Sequence, residues 1–584
     1  MAPVTASSDS RNEDGQASGR TGLRAVPLVL VLAALLAAFG PSLLSHARRS
    51  ANPAFFNDDV RAQVYPFLRY ERAGSFRNDY LGDYFLDCRF PVGYALLYEA
   101  AGKLGAVEAV SKVVPYVLLL LTFVGVGLVA HRFGGWPAVA VAVALCLGSD
   151  IYLACTVGGV SHAFGFPIAA ATMLAVVRDR PRWLAALTVA GAAFYPTVGV
   201  LAGICLVLTL VVPLGPREGS TRLSRSRRAA LVFGAAAVSA LLLLPPALGA
   251  RPYGPLITLT TAGRFPEAGP GGRYHGDDRP PFKGFVRTGL RDLEDAMSPA
   301  GPALVPPLHG WILADERRLR LALAALLALA GVGWLRRAAE SAEARRLLFF
   351  PLSGLLGYWA ARLVYPYLYL PQRYSLNVIP PLAAVVLAFG ASGLLPRHRM
   401  SEPWRRVWGC APGVVALLLF GSWGSRTEGL DIEADPKSSS YAFIAGLPDS
   451  ALLAGWPSGA IDNVPWVSRR RALVTFETHQ AQHVAATLEM RRRAEAVIDA
   501  FFATDPGPLR RLRTEFGVTH FVVDLDLAAD TDRARYFAPF DRRIASLVER
   551  TRGQTLEVVR QLETSAVFRG RDLAVLDLSR LPLP

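Results

Sequence analysis

Cysteine is scarce, with five in 584 residues. Cys146, Cys205 and Cys410 fall inside apolar runs, so neither a metal-ligand spacing nor a disulfide framework appears. Cys88 and Cys155 read as an incidental pair of thiols. No internal repeat, Gly-rich phosphate loop or nucleotide-binding motif after a strand is present, which excludes repeat architectures and argues against nucleotide-driven chemistry. Long uncharged runs are instead abundant. Hydrophobic residues make up 52% of the chain and mean hydropathy is +0.30, which excludes a conventional soluble globular protein.

The net charge of +15 first suggests a nucleic-acid partner. Its basic residues, however, concentrate in short loops between apolar runs, where membrane insertion favours Lys and Arg on the cytoplasmic side. Topology therefore explains much of the charge without a polyanion. Candidate spans run over Leu23–Leu44, Val113–Ala130, Pro137–Leu153, Ala163–Val177, Trp183–Phe194, Thr197–Val212, Ala229–Leu248, Leu319–Leu335, Leu347–Val364, Leu376–Leu395 and Val407–Trp423. The stretch Pro181 to Pro213 is split at Tyr195-Pro196 into two short helices. With the N-terminus inside, the loops His131-Arg132, Arg178–Arg182, Arg217–Arg228, Arg336–Arg346 and Arg397–Arg406 all become cytoplasmic and all are basic.

The expected architecture is mainly α: a polytopic membrane helical bundle of about eleven transmembrane helices, N-terminus inside and C-terminus outside, with an outer soluble α/β C-terminal domain. Residues 1–22 read as a disordered cytoplasmic tail and 23–424 as the bundle, with outer loops at 45–112 and 249–318. Residues 425–584 form the extracytoplasmic domain. There the apolar runs shorten to strand length at Ala451–Trp456, Ala472–Phe476, Val518–Val523 and Leu573–Leu578, while Gln480–Phe502 has the pattern of an amphipathic helix packed on a sheet.

Just past the first span the chain reads Phe55-Phe56-Asn57-Asp58-Asp59-Val60-Arg61. Adjacent acids on the wet rim of a membrane protein can take a proton, hold a metal, or both. Capping of the following helix explains a single acid there but does not require a doublet. Farther on, Arg89 precedes Phe90-Pro91, Arg362 lies within an apolar span, and Arg373-Tyr374 follows Tyr365-Pro366-Tyr367. Charge inside a span usually faces a cavity, although Tyr and Arg also populate membrane boundaries simply as anchors. His162 stands at the entrance to another span, where a cap or water-bonded ring is the plain alternative. Asp277-Asp278 has the surroundings of a solvated turn. Asp462-Asn463 and Arg469-Arg470-Arg471 are candidates for an acceptor groove, with solvated surface as the plainer reading.

The acid pair after the first span, the aromatic-rich segment Asp83–Tyr94, and Arg89 shortly before Pro91 together resemble the polytopic glycosyltransferases of the C-type fold, such as the protein mannosyltransferases and aminoarabinose transferases. The commoner Lys-Pro-Pro-Leu of that family is absent here. The resemblance implies transfer of a sugar from a polyprenyl-phosphate-linked donor to an envelope glycan, lipid or protein acceptor at the outer face of a bacterial inner (plasma) membrane, with inversion and without nucleic acid. Carried over, the resemblance makes Asp58 or Asp59, with Asp58 the first choice, the catalytic acid residue that deprotonates the acceptor hydroxyl or helps hold a divalent cation, Mg or Mn. Arg61, Arg89, Arg362, Arg373 and Tyr374 bind the donor phosphate, and His162 is a further candidate for phosphate or metal. The rival readings are a flippase or transporter of lipid-linked sugars and a non-catalytic envelope assembly protein.

Overall fold

In a computed structural model of the chain, the described residues are 14–72, 74, 76–212, 224–269, 271–273, 281–297, 330–332, 334, 341–364, 370–393, 411, 413–418, 421 and 425–581. The apolar runs become helices because a chain in hydrocarbon must satisfy its backbone polar groups internally. Among the described residues, Val29–Ala51, Val107–Gly148, Arg225–Gly249 and Gln372–Gly390 are long and apolar enough to cross a membrane, and Ser161–Val177 and Pro196–Val211 are shorter apolar helices. The expected spans at 319–335 and 407–423 lie mostly outside the described residues, as do Tyr365, Pro366, Tyr367, Asp277, Asp278 and Cys410. The first helix, Asp14–Ala51, takes in residues 14–22, which the sequence assigns to a disordered tail.

The segment Val107–Gly148 is two arms rather than one rod. Gly135 has φ 69°, a left-handed conformation that suits glycine, and Pro137 follows it. A Cβ built on Gly127 would lie 3.4 Å from both Val139 and Val143. In a straight helix the rise from 127 to 143 would be about 24 Å, so the chain turns back at Gly135. Two arms are what the apolar runs on either side of His131-Arg132 predict.

A second turn occurs where the sequence places it. The helices Pro181–Phe194 and Pro196–Val211 are separated by Tyr195, whose φ of −151° and ψ of 95° are extended. A residue before proline is pushed out of the helical region, and Pro196 then starts the next helix at its first position. The two helices pack at glycine. A methyl added to Gly191 would sit on the backbone of Gly199.

Contacts between the basic loops show that several lie at the same end of the bundle. Arg132 meets Glu343 at 2.6 Å. Arg228 and Arg346 both reach Asp179, at 3.2 and 3.9 Å. These residues come from four loops assigned to one side by charge alone.

The C-terminal region is a five-stranded sheet in the order β4-β3-β5-β7-β6, formed by β3 (Leu452–Gly455), β4 (Arg471–Ala472), β5 (His520–Asp524), β6 (Ala566–Arg569) and β7 (Leu573–Asp577). β3 pairs in parallel with β4 and β5, whereas β7 runs antiparallel to β5 and β6. The amphipathic segment forms the helix Val484–Phe501, burying Met490, Val497, Ile498 and Phe501. Of the sheet's strands, β6 is unanticipated: its apolar run, Ala566-Val567-Phe568, is shorter than that of β7 and falls between polar residues.

The composition boundary at residue 425 is not a packing boundary. Phe56, Tyr65, Phe67, Tyr84 and Tyr94 of the segment after the first helix share one apolar cluster with Leu453, Val497 and Phe521 of the sheet domain. The chain leading into that domain also returns to the loop: β1 (Phe55–Phe56) pairs antiparallel with β2 (Ile432–Glu433). Asn57 donates to the carbonyl of Gly429 at 3.1 Å and to Asp431 at 3.2 Å.

Substituting Gly191→Ala should prise apart the Pro181–Phe194 and Pro196–Val211 helices and destabilise the protein by about 1–3 kcal/mol, the usual cost of overpacking. A lowered thermal midpoint in detergent checks this. Gly234→Ala is the control, because its added methyl meets nothing within 4 Å.

Candidate functional site

Asp58 and Asp59 stand between β1 and the short helix Val60–Gln63. Asp59 occupies the N-cap position but its side chain makes no capping bond. Its backbone N–H instead donates to Asp58 Oδ1 at 2.9 Å and Asn57 Oδ1 at 3.1 Å. The cap is thus served by the preceding side chains, which leaves the Asp59 carboxylate to other partners. Its Oδ2 lies 3.6 Å from Nδ1 of His162, which sits in the turn Ser161–Phe164. Burial, and then the charge of Asp59, push the Asp58 carboxyl above its ordinary value.

Both acids line a cavity of about 1380 Å³. Arg89, His162, Arg373 and Tyr374 line it too. Arg89 caps the helix Tyr80–Cys88 and donates to Oε1 of Gln480 at 2.5 Å. Arg373 and Tyr374 belong to the short helix Gln372–Leu376. Away from these groups the wall becomes apolar, with Val200, Ile204, Val207 and Leu208 facing Leu243 of the helix Arg225–Gly249. One cavity therefore joins a charged end to an apolar groove.

Two expected phosphate ligands are elsewhere. Arg61 is 7% exposed and does not line the cavity. Its guanidinium is held by Asp462 at 2.8 Å, Asn463 at 3.1 Å and Glu477 at 3.6 Å, and its Nε donates to the carbonyl of Asp58 at 3.1 Å. The i, i+3 spacing from Asp58 gave no sign that the sheet domain would claim this side chain. Arg362, in the helix Phe349–Leu363, is also absent from the cavity wall.

The sheet domain contributes different residues from those expected. Asp462 and Asn463 are engaged by Arg61, Arg469 pairs with Glu71, and Arg470 donates to the carbonyls of Leu447 and Ala445. Arg471 likewise bonds the carbonyls of Arg77 and Ser450. The domain instead presents Glu477, Gln480, Gln482 and His483 to the cavity. They follow β4, whose pairing with β3 is parallel. Ligands bind beyond the carboxyl ends of parallel strands, so the polar run Glu477–His483 after the expected strand was the available signal.

Glu477 is buried between two cations, with Arg273 at 2.9 Å and Arg61 at 3.6 Å. Arg273 also lies over the Phe476 ring, 3.8 Å from its centroid. Desolvation outweighs both cations and pushes the Glu477 carboxyl up to about 7. His483, whose Nδ1 is 2.9 Å from the Tyr84 hydroxyl, is pushed down to about 4 by burial and is neutral at pH 7.

The implied divalent cation fits poorly. Among the described residues no group of three or more His, Cys, Asp or Glu side chains is arranged to hold a metal. Asp58 and Asp59 make a doublet without the additional protein ligands of a dedicated centre, so no chemical step is routed through a cation.

No family model and no curated protein matches the chain. Among solved structures, the chain is similar to ArnT of Cupriavidus metallidurans bound to undecaprenyl phosphate, at 14% identity and a TM-score of 0.45, covering 96% of this chain and 98% of that one. It is also similar to the oligosaccharyltransferase AglB of Archaeoglobus fulgidus in complex with an inhibitory peptide and a dolichol-phosphate, at 11% identity and a TM-score of 0.42, covering 86% and 69%. A form of the Archaeoglobus fulgidus enzyme tethered to an acceptor peptide matches at 11% identity and a TM-score of 0.47, covering 89% and 71%.

Glu477 generates a pH prediction. Its carboxyl rises from 4.5 to about 7 on folding, so between those values the folded protein holds a proton that the unfolded chain releases. This contribution to stability is present below pH 4.5 and is lost as pH rises through 7. Buried His479 and His483, both lowered, act in the opposite sense below pH 6.5. The Glu477 contribution is therefore read as a difference: the thermal midpoint of wild type minus that of Glu477→Gln should be more positive at pH 5 than at pH 8. An equal difference at both values contradicts the assignment.

Proposed function

We propose that this protein is a membrane glycosyltransferase that moves a sugar from a polyprenyl-phosphate-linked donor to an acceptor on the extracytoplasmic side. The observation that carries the reading is the meeting of Asp58, Asp59, Arg89 and Arg373 on one cavity whose other end is an apolar groove. A lipid-linked sugar has the same division: an acyl-like chain, a phosphate and a polar saccharide.

In this reading the polyprenyl chain lies along Val200, Ile204, Val207 and Leu243, and the phosphate is met by Arg89 and Arg373. Arginine suits that task because its planar fork binds two phosphate oxygens. Asp58 takes the proton of the acceptor hydroxyl, the hydroxyl oxygen bonds to the anomeric carbon, and the bond from that carbon to the phosphate oxygen breaks. The polyprenyl phosphate leaves with the bonding electrons and the two arginines stabilise its charge. A carboxyl raised by burial is a stronger base than an exposed one, which favours Asp58 for the proton. Asp59 lies beside His162 on the same cavity. Attack from the face away from the phosphate inverts the anomeric centre.

Replacing Asp58→Asn should lower transfer from undecaprenyl-phosphate sugars by about 10²–10⁴-fold, the usual range for a lost general base, with membrane abundance unchanged. Turnover in proteoliposomes measures it. Undiminished transfer by an Asp58→Asn, Asp59→Asn double variant overturns the mechanism. Arg373→Ala should weaken binding of undecaprenyl phosphate itself by about tenfold or more, as expected for a lost charge-assisted bond, measured by native mass spectrometry.

A further inference from the structure

We propose that the acceptor is a saccharide, and that the segment Glu477–His483 of the sheet domain is the wall that orients it against Asp58. This rests on the transferase reading above and adds the class of the acceptor and the residues that select it.

The wall is built rather than incidental. Glu477 is fixed by Arg273 and Arg61, and its backbone N–H donates to Asp462 Oδ1 at 3.1 Å. The side chain of Gln480 is held at both ends: Oε1 accepts from Arg89 and Nε2 donates to the carbonyl of Glu477 at 3.2 Å. Gln482 differs. Its backbone carbonyl accepts from Ile257 at 2.8 Å; the residue lines the cavity, and its side-chain amide makes no bond among the described residues. A primary amide offers two N–H donors and a carbonyl acceptor, so Gln482 presents unused capacity of both kinds to whatever enters.

The chemistry of the wall selects among the acceptor classes. A carboxyl, two amides and a neutral imidazole stand within seven residues on one side of the cavity. Each saccharide hydroxyl both donates and accepts, and neighbouring hydroxyls match amide and carboxyl groups in pairs. A lipid acceptor would lay apolar surface against these groups and strip their water without replacing it, at a cost in free energy. A polypeptide brings one N–H and one C=O per residue, spaced along its backbone, whereas a saccharide sets groups that both donate and accept on adjacent ring carbons, the closer match to clustered amide and carboxyl groups. The apolar part of the cavity is assigned to the donor chain, and the donor sugar is carried on the phosphate met by Arg89 and Arg373, so the proposal gives the Glu477–His483 wall to the acceptor.

The wall also connects to the acid pair. Arg61 bonds Glu477 and Asp462 on one side and the Asp58 carbonyl on the other. A saccharide seated on Glu477 thus rests on the same network that fixes the backbone of the first-loop acids.

The test prints bacterial-surface oligosaccharides and a set of peptides on one array and probes it with the labelled full chain in nanodiscs. Wild type should retain oligosaccharides, with Gln482→Ala weakening retention about tenfold, the equivalent of one or two hydrogen bonds. Glu477→Asp keeps a carboxyl facing Arg273 while shortening the side chain, and should weaken retention as well. Binding to peptides alone, no oligosaccharide retention, or retention unchanged in Gln482→Ala overturns the proposal. Turnover of undecaprenyl-phosphate sugars is read separately: turnover without oligosaccharide binding contradicts the acceptor class alone, and oligosaccharide binding without turnover contradicts the transferase reading.

Discussion

The contact between Arg61 and Asp462 holds the two halves of the site together. Arg61 lies three residues beyond Asp58, is buried, and meets Asp462 of the sheet domain at 2.8 Å. Two charges taken out of water are stable only when paired and hydrogen-bonded, and removing one partner of such a pair costs about 3–5 kcal/mol. Asn463 at 3.1 Å and the Asp58 carbonyl at 3.1 Å complete the shell around the guanidinium. The loop that carries the acids is therefore set by a domain more than 400 residues away along the chain.

The same dependence appears in the packing. The segment between the first helix and Val107 is rich in aromatic residues, and Tyr65, Phe67, Tyr84 and Tyr94 are buried with the sheet domain's core. Pairing of Phe55–Phe56 with Ile432–Glu433 fixes the backbone immediately before the acids. Arg273 of the segment after Gly249 then closes on Glu477 at 2.9 Å. Two inter-helix segments and the sheet domain thus meet around one charged centre beside the cavity, where positioning by fixed charges has the most effect on a reacting group.

Much of this was legible in the sequence because it depends on local rules. The turn at Tyr195-Pro196 follows from proline's effect on its neighbours, and the return at Gly135 lies between apolar runs flanking basic residues. Strands β3, β5 and β7 show as short apolar runs, and Asp58, Asp59, Arg89, His162, Arg373 and Tyr374 were singled out as residue types suited to a lipid phosphate or a sugar. What the sequence concealed is long-range. Nothing local to Arg61 indicates that Asp462 will claim it, and nothing local to Glu477 or Gln482 indicates which charged loop they will face. Arg362 shows the same limit from the other side, since a charge within an apolar run gives depth in the bundle but not the direction of the side chain. The apolar run of strand β6 is short and falls between polar residues, and so leaves little trace in hydropathy.

The most direct test of the account is an electron cryo-microscopy map of the full chain with undecaprenyl phosphate. The account predicts a phosphate between Arg89 and Arg373, facing Asp58 and Asp59, with the polyprenyl chain running along Val200, Ile204 and Leu243. A lipid phosphate bound outside this cavity, with the acid pair facing only solvent, contradicts it.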